Sequence, residues 1–259
     1  MTEEKNSSPL KNVLSGNFNV VLVLILIGAS FAIGSLYTKV KYLEKGAAVA
    51  GTNTAGTNQA AGAPAAAGAP QPQVAAKKPE VTNADWYRGN KNAKVVMVEY
   101  SDLECPFCIK FHPTMQQVMK EYGDKVKWVY RHYPLSFHAN AQKEAEAAEC
   151  AGKLGGNESF WKYADAIFAR TSGNGTGFAL DKLVPLAKEL GLNESSFKQC
   201  LDSGEMAQKV KDQMAKGTEE GVTGTPGTII IDAKGDTQLV PGALPFEQVK
   251  PMIDKALQS

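Results

Sequence analysis

The chain has 259 residues, 43% of them hydrophobic, and its 28 basic and 27 acidic side chains leave a net charge of +1. No basic field for nucleic acid and no acidic tail stands out, so nucleic acid is not an expected partner. Four cysteines are too few for a small scaffold built on disulfides, so each is read by its position.

After a short N-terminal tail (1–19), Val20 to Tyr37 carries no charged side chain. As a helix it would span roughly 27 Å, close to the thickness of a bilayer core. The run is long for a signal peptide, and the nearest small-residue cleavage site, Ala48 to Ala50, lies beyond Lys39, Lys41 and Lys45. An uncleaved signal-anchor is expected, which makes the protein membrane-anchored. Lys5 and Lys11 on one flank against three lysines on the other would leave the following domain in the cytosol. The cysteine chemistry below argues for the opposite side. Residues 38–80 are rich in Ala, Gly, Thr and Pro without an apolar period, which predicts a flexible linker.

From 81 to 259 the periodicities are those of one α/β domain. Lys94 to Tyr100 reads as a central strand, the segment from Cys105 to Tyr122 as an amphipathic helix that Pro113 should kink, and Lys125 to Tyr133 as a second strand. Strand, helix and strand in that order imply parallel pairing. Residues of about 138–216 read as a helical insertion: one helix over Ala141 to Leu154, a second capped by Asn157, and a third capped by Asn193-Glu194. Gly173 to Gly177 (GNGTG) lies before no strand-to-helix phosphate site and reads as a turn, not a P-loop. Thr228 to Asp232 and Thr237 to Val240 form a hairpin, followed by a helix from Pro245 to Leu257.

The chemistry centres on Cys105-Pro106-Phe107-Cys108. At a helix N-terminus the first sulfur meets unpaired backbone N–H groups and the positive end of the helix dipole, so Cys105 is the expected low-pKa nucleophile. Cys108, one turn further in, is the resolving thiol, and Pro106 suits the first helical turn. A fall of the Cys105 pKa to about 5 would stabilise the thiolate by about 2.7 kcal/mol at pH 7, or roughly 60 mV for the couple. Phe107 adds no charged or hydrogen-bonding side chain. A haem attachment site needs His where Ile109 stands. A zinc site would need ligands beyond His112, and His112, His132 and His138 read as packed or solvated side chains. Neither a metal nor a cofactor is expected.

Three further features attend the pair. Glu99 lies inside the first strand: buried, it would have a raised pKa and serve as a candidate proton relay to Cys108; at an edge it would be a solvated carboxylate. Arg131 is its candidate counter-charge. Thr225-Pro226 is either an ordinary loop before a strand or a cis-proline turn whose backbone faces a bound peptide. Cys150 and Cys200, if paired, form a structural disulfide closing a loop of about 50 residues and marking an oxidising compartment; reduced, each is a small buried hydrophobe.

Taken together, VVMVEYSDLE, CPFC, YRHYPL and GVTGTPGTIII make residues 81 to 259 resemble the DsbA-like thiol:disulfide oxidoreductases of thioredoxin fold. The resemblance implies a thioredoxin-like fold with a helical insertion, Cys105 as nucleophile, Cys108 as resolving cysteine, Pro226 as the cis-proline facing them, and Glu99 as the superfamily's buried acid. It implies an extracytoplasmic domain that donates its disulfide to reduced or unfolded secreted proteins through a mixed disulfide at Cys105. A quinone-linked membrane partner of the DsbB or VKOR type would recharge it. Phe107 replaces the histidine of the best-known oxidases, and Thr225 is what disulfide isomerases carry. A reductase or isomerase using the same motif is therefore the alternative, and a non-catalytic peptide-binding module is the alternative of another class.

Overall fold

The computed structural model describes residues 74–259. Among these no helix is long and apolar enough to cross a membrane. The expected anchor at 20–37 and most of the expected linker lie outside the described residues.

Five strands form one sheet: β1 (Trp86–Gly89), β2 (Val95–Ser101), β3 (Val126–His132), β4 (Gly227–Ile231) and β5 (Thr237–Pro241), in the order β1-β3-β2-β4-β5. β2 and β3 run parallel, from Val95 opposite Val126 to Ser101 opposite His132, as the intervening helix α1 (Pro106–Tyr122) requires. Pro113 lies inside α1, and the helix continues through it to Tyr122. β4 pairs antiparallel with both β2 and β5, closing the expected hairpin. The edge strand β1, antiparallel to β3, is too short and too mixed in character to show a period.

The insertion comprises α2 (Ala141–Phe168), α3 (Leu183–Glu189), α4 (Glu194–Ser203) and α5 (Ala207–Glu219), and α6 (Phe246–Gln258) ends the chain. The two helices expected from 141 onward are there: the span α2 is two helical runs that meet at a kink at Gly156, whose φ of 74° only glycine adopts cheaply. Asn157 opens the second run, as expected, but its side chain turns to β1 and not to the helix end. Its side-chain amide accepts from the Tyr87 N–H (2.8 Å) and donates to the Tyr87 carbonyl (2.8 Å), closing the free edge of β1. Asn193 does cap α4, accepting from the Ser196 N–H at 2.9 Å.

Alternation along the strands divides the core. Met97, Trp128 and Tyr130 join the larger cluster with residues of α1, α2 and α6. Val98, Tyr100, Val129 and Ile229 face the other side, where α5 comes so close that a Cβ on Gly217 would lie 2.7 Å from the Tyr100 ring. The folded body also takes in residues that composition assigns to the linker: Ala75 is buried, the Ala76 N–H donates to the Glu220 carbonyl (3.0 Å), and Arg131 donates to the Glu80 carbonyl (2.6 Å).

Candidate active site: a buried cysteine pair at a helix N-terminus

β2 ends at Ser101, and a four-residue turn delivers the chain to α1 with Cys105 at the N-cap and Pro106 in the first turn. Pro106 lacks the N–H that would go unused there. Cys105 and Cys108 are both thiols, 2% and 0% exposed, while the Phe107 side chain stands 64% exposed between them. The Thr225-Pro226 bond is cis, and the Thr225 carbonyl lies 3.4 Å from Cys105 Sγ. Cys108 Sγ accepts the Asp102 N–H at 3.5 Å.

The two thiols have diverged. Cys105 is lowered to about 6: a hydrogen bond from the Cys108 thiol outweighs the opposing effect of burial, and the Thr225 hydroxyl and the N–H groups of Cys108 and Phe107 add to it. Phe107 thus contributes through its backbone what its side chain cannot. Cys108 is raised well above an ordinary thiol, first by burial and then by its hydrogen bond to Cys105 and the charge there. At a pKa of about 6 the gain at pH 7 is about 1.4 kcal/mol, or roughly 30 mV, half of what a fall to about 5 would give.

Glu99 is fully buried, on the sheet face turned toward α1 and opposite Tyr130 in β3. Its Oε2 accepts the Trp128 indole N–H at 2.9 Å, and burial raises its pKa against the weaker pull of His112, Ser101 and Trp128. Arg131 is not its counter-charge. It points to the other face, where it donates to the Tyr100 hydroxyl (2.8 Å) and to Asp85 (2.9 Å). The histidines are packed: His112 Nε2 sits 2.8 Å from Asp165, and His138 Nδ1 sits 2.7 Å from Asp102. Cys150 on α2 and Cys200 on α4 are joined as a disulfide within the insertion.

Sequence reasoning missed the residue just before Cys105. The Glu104 carboxylate is fully buried and accepts from the Thr171 hydroxyl (2.8 Å) and the N–H groups of Gly177 (2.6 Å) and Phe178 (2.8 Å), while its carbonyl accepts from Asn174 (2.9 Å). The GNGTG loop thus grips this residue at two points, Asn174 at its carbonyl and Gly177 at its carboxylate, with Gly173, Asn174 and Gly175 all at positive φ. Burial pushes Glu104 up, but the proton offered by Glu144 and those donors lower it on balance. Glu144, buried beside it, is raised to about 10 by burial and by Glu104. Because that value exceeds the unfolded one of 4.5, the group's contribution to stability is fully present below about pH 4.5 and is lost as pH rises toward 10. Glu144→Gln, which keeps an N–H donor and cannot ionise, should gain on the order of 3 kcal/mol at pH 7 and nothing near pH 4. Urea denaturation at the two pH values measures this; an equal change at both would show that ionisation is not the cause.

A family model described as Thioredoxin matches residues 81–255. The crystal structure of Pseudomonas aeruginosa DsbA2 is similar at 30% identity and a TM-score of 0.58, covering 68% of this chain and 96% of that one. BdbD from Bacillus subtilis (oxidised) shares the fold at 22% identity and a TM-score of 0.60, covering 72% and 99%. A curated relative, Na(+)/H(+) antiporter NhaA 3 of Salinispora tropica, is 32% identical over 148 residues, 55% of this chain and 21% of the antiporter. The chain thus spans about a fifth of the length of that relative.

Proposed function

Because this chain belongs to the thioredoxin family, as a DsbA-like thiol-disulfide oxidoreductase, we propose that it donates its Cys105–Cys108 disulfide to reduced extracytoplasmic proteins. The observation that carries this is the divergence of the two thiols around Thr225-Pro226. A Cys105 lowered to about 6 is the better leaving group of a mixed disulfide, and it sits where a client backbone can pair with the Thr225 turn. The exposed Phe107 ring beside it favours unfolded, apolar clients. Glu99 serves as the internal acid and base for Cys108, which has no contact with solvent.

The Cys150–Cys200 disulfide supports an oxidising compartment, and the uncharged run at 20–37 supports a single-pass anchor with the domain outside the cytosol. Recharging would fall to a quinone-linked membrane partner of the DsbB or VKOR type. Ion transport is not carried over, because the match covers only a fifth of the antiporter.

The alternative, a reductase or isomerase, is favoured by one observation: the gain from the Cys105 shift is only about 30 mV. The reduction potential of the full chain decides between them. Donation requires a value clearly more oxidising than the roughly −270 mV of a reducing thioredoxin; a value at or below that figure would overturn it. Thiol trapping in cells should find Cys150 and Cys200 oxidised, and the same pair found reduced would overturn the compartment.

A further inference from the structure

Cys108 must gain a proton when its disulfide opens and lose one when it closes, yet it is 0% exposed. The exchange has to run through buried groups. Strand alternation sets Glu99 and Ser101 on the same face of β2, and the parallel register places Tyr130 directly across from Glu99. The Asp102 N–H on Cys108 Sγ holds that sulfur against the end of the same strand. With Oε2 of Glu99 occupied by Trp128, three buried polar atoms in this corner are without a hydrogen-bond partner: Glu99 Oε1, Ser101 Oγ and the Tyr130 hydroxyl. Each such orphan costs about 1–3 kcal/mol, so their gathering beside the resolving thiol asks for a function.

We propose that the Ser101 hydroxyl carries the proton between Glu99 and Cys108, with the Tyr130 hydroxyl holding it in place. This rests on Glu99 being the acid and base for Cys108. A serine hydroxyl has one proton to give and two lone pairs, so it accepts from the Glu99 carboxyl while donating to the sulfur. The Ser101 hydroxyl is near enough to Glu99, Cys108 and Tyr130 to favour the charged form of each, although none of them is bonded to it at rest. Tyr130, raised by burial, stays a neutral donor.

When a client thiolate attacks Cys105 Sγ, a sulfur–sulfur bond forms there and the Cys105–Cys108 bond breaks, its electron pair passing to Cys108. Ser101 gives its proton to that sulfur and takes the one from Glu99, which is left as carboxylate. A second client thiolate then attacks the client sulfur of the mixed disulfide and releases the Cys105 thiolate. The client dithiol is oxidised to a disulfide, and the protein disulfide is reduced. Recharging runs the same hydroxyl in reverse: the Cys108 proton leaves through Ser101 to Glu99.

The test uses the full chain in its oxidised form, mixed with excess dithiothreitol and followed by tryptophan fluorescence in H2O and D2O. Ser101→Ala should slow reduction roughly tenfold or more and lose the solvent isotope effect, and Ser101→Thr, which keeps the hydroxyl, should retain most of the rate. Glu99→Gln should be slow by itself, and adding Ser101→Ala to it should cost little more. Ser101→Ala at the wild-type rate beside a slow Glu99→Gln overturns the Ser101 role and leaves Glu99 standing. Glu99→Gln at the wild-type rate removes the Glu99 reading and this one with it. Equal slowing of the Ala and Thr variants with the isotope effect intact assigns the loss to packing, which also overturns the proposal.

Discussion

Cys105→Ser should abolish oxidation of reduced client peptides, lowering the rate by at least about a thousandfold, because it removes the only sulfur able to enter the mixed disulfide. Cys108→Ala should behave differently. It leaves the nucleophile, so mixed disulfides form and accumulate, and it also takes away the largest stabiliser of the Cys105 thiolate, the Cys108 hydrogen bond. The Cys105 pKa should then rise from about 6 toward an ordinary thiol. The sign follows from which form is lost: without the donor the charged form weakens and less thiolate exists at pH 7. The pH dependence of iodoacetamide alkylation reports this directly. An unchanged midpoint in Cys108→Ala would mean that the helix N-terminus and Thr225, not the partner thiol, set the nucleophile's charge.

The dependence of one cysteine on the other separates what the sequence could show from what it could not. The central strands, α1, the hairpin and the C-terminal helix are legible because each has a period matched to its burial, as in VVMVEYS with its Val98 and Tyr100 on one face and Met97 and Glu99 on the other. Spacing alone put Cys105 at a helix start and Cys108 one turn inside. Glu99 remained ambiguous because a carboxylate in a strand can face core or solvent, and only the register against Trp128 and Tyr130 settles which. Arg131 was misassigned for a related reason: it is two residues from Val129 along β3, and so shares that residue's face rather than Tyr130's. Glu104 gave one local signal, an acidic residue directly before the nucleophile. Its partners, Thr171, Gly177 and Phe178, lie some 70 positions away, and a GNGTG loop carries no mark of the carboxylate it will grip. Asn157 looked like a cap because local sequence cannot foresee that an edge strand will claim the same side chain.

The Cys150–Cys200 pair should matter to stability as much as Cys105 does to chemistry. The bond closes a loop of 50 residues between α2 and α4, and the chain-entropy estimate for such a loop is about 4 kcal/mol. That is a large share of the 5–15 kcal/mol typical of a domain. Cys150→Ala/Cys200→Ala should therefore shift urea unfolding to a markedly lower midpoint, losing about 4 kcal/mol, with some of the loss arising from the smaller side chains left in the core. Neither cysteine is among the groups that set the Cys105 pKa, so the alkylation midpoint of the double variant should stay at about 6. A loss below about 1 kcal/mol would show that the packed insertion, and not the cross-link, restrains the chain. The wild-type protein folded under reducing conditions is the matching control. If the bond acts through the unfolded chain, the reduced wild type and the double variant should unfold at nearly the same urea concentration. A domain made and kept in a reducing compartment would then be the weaker form throughout its life, and the bond would bring its stability only outside the cytosol.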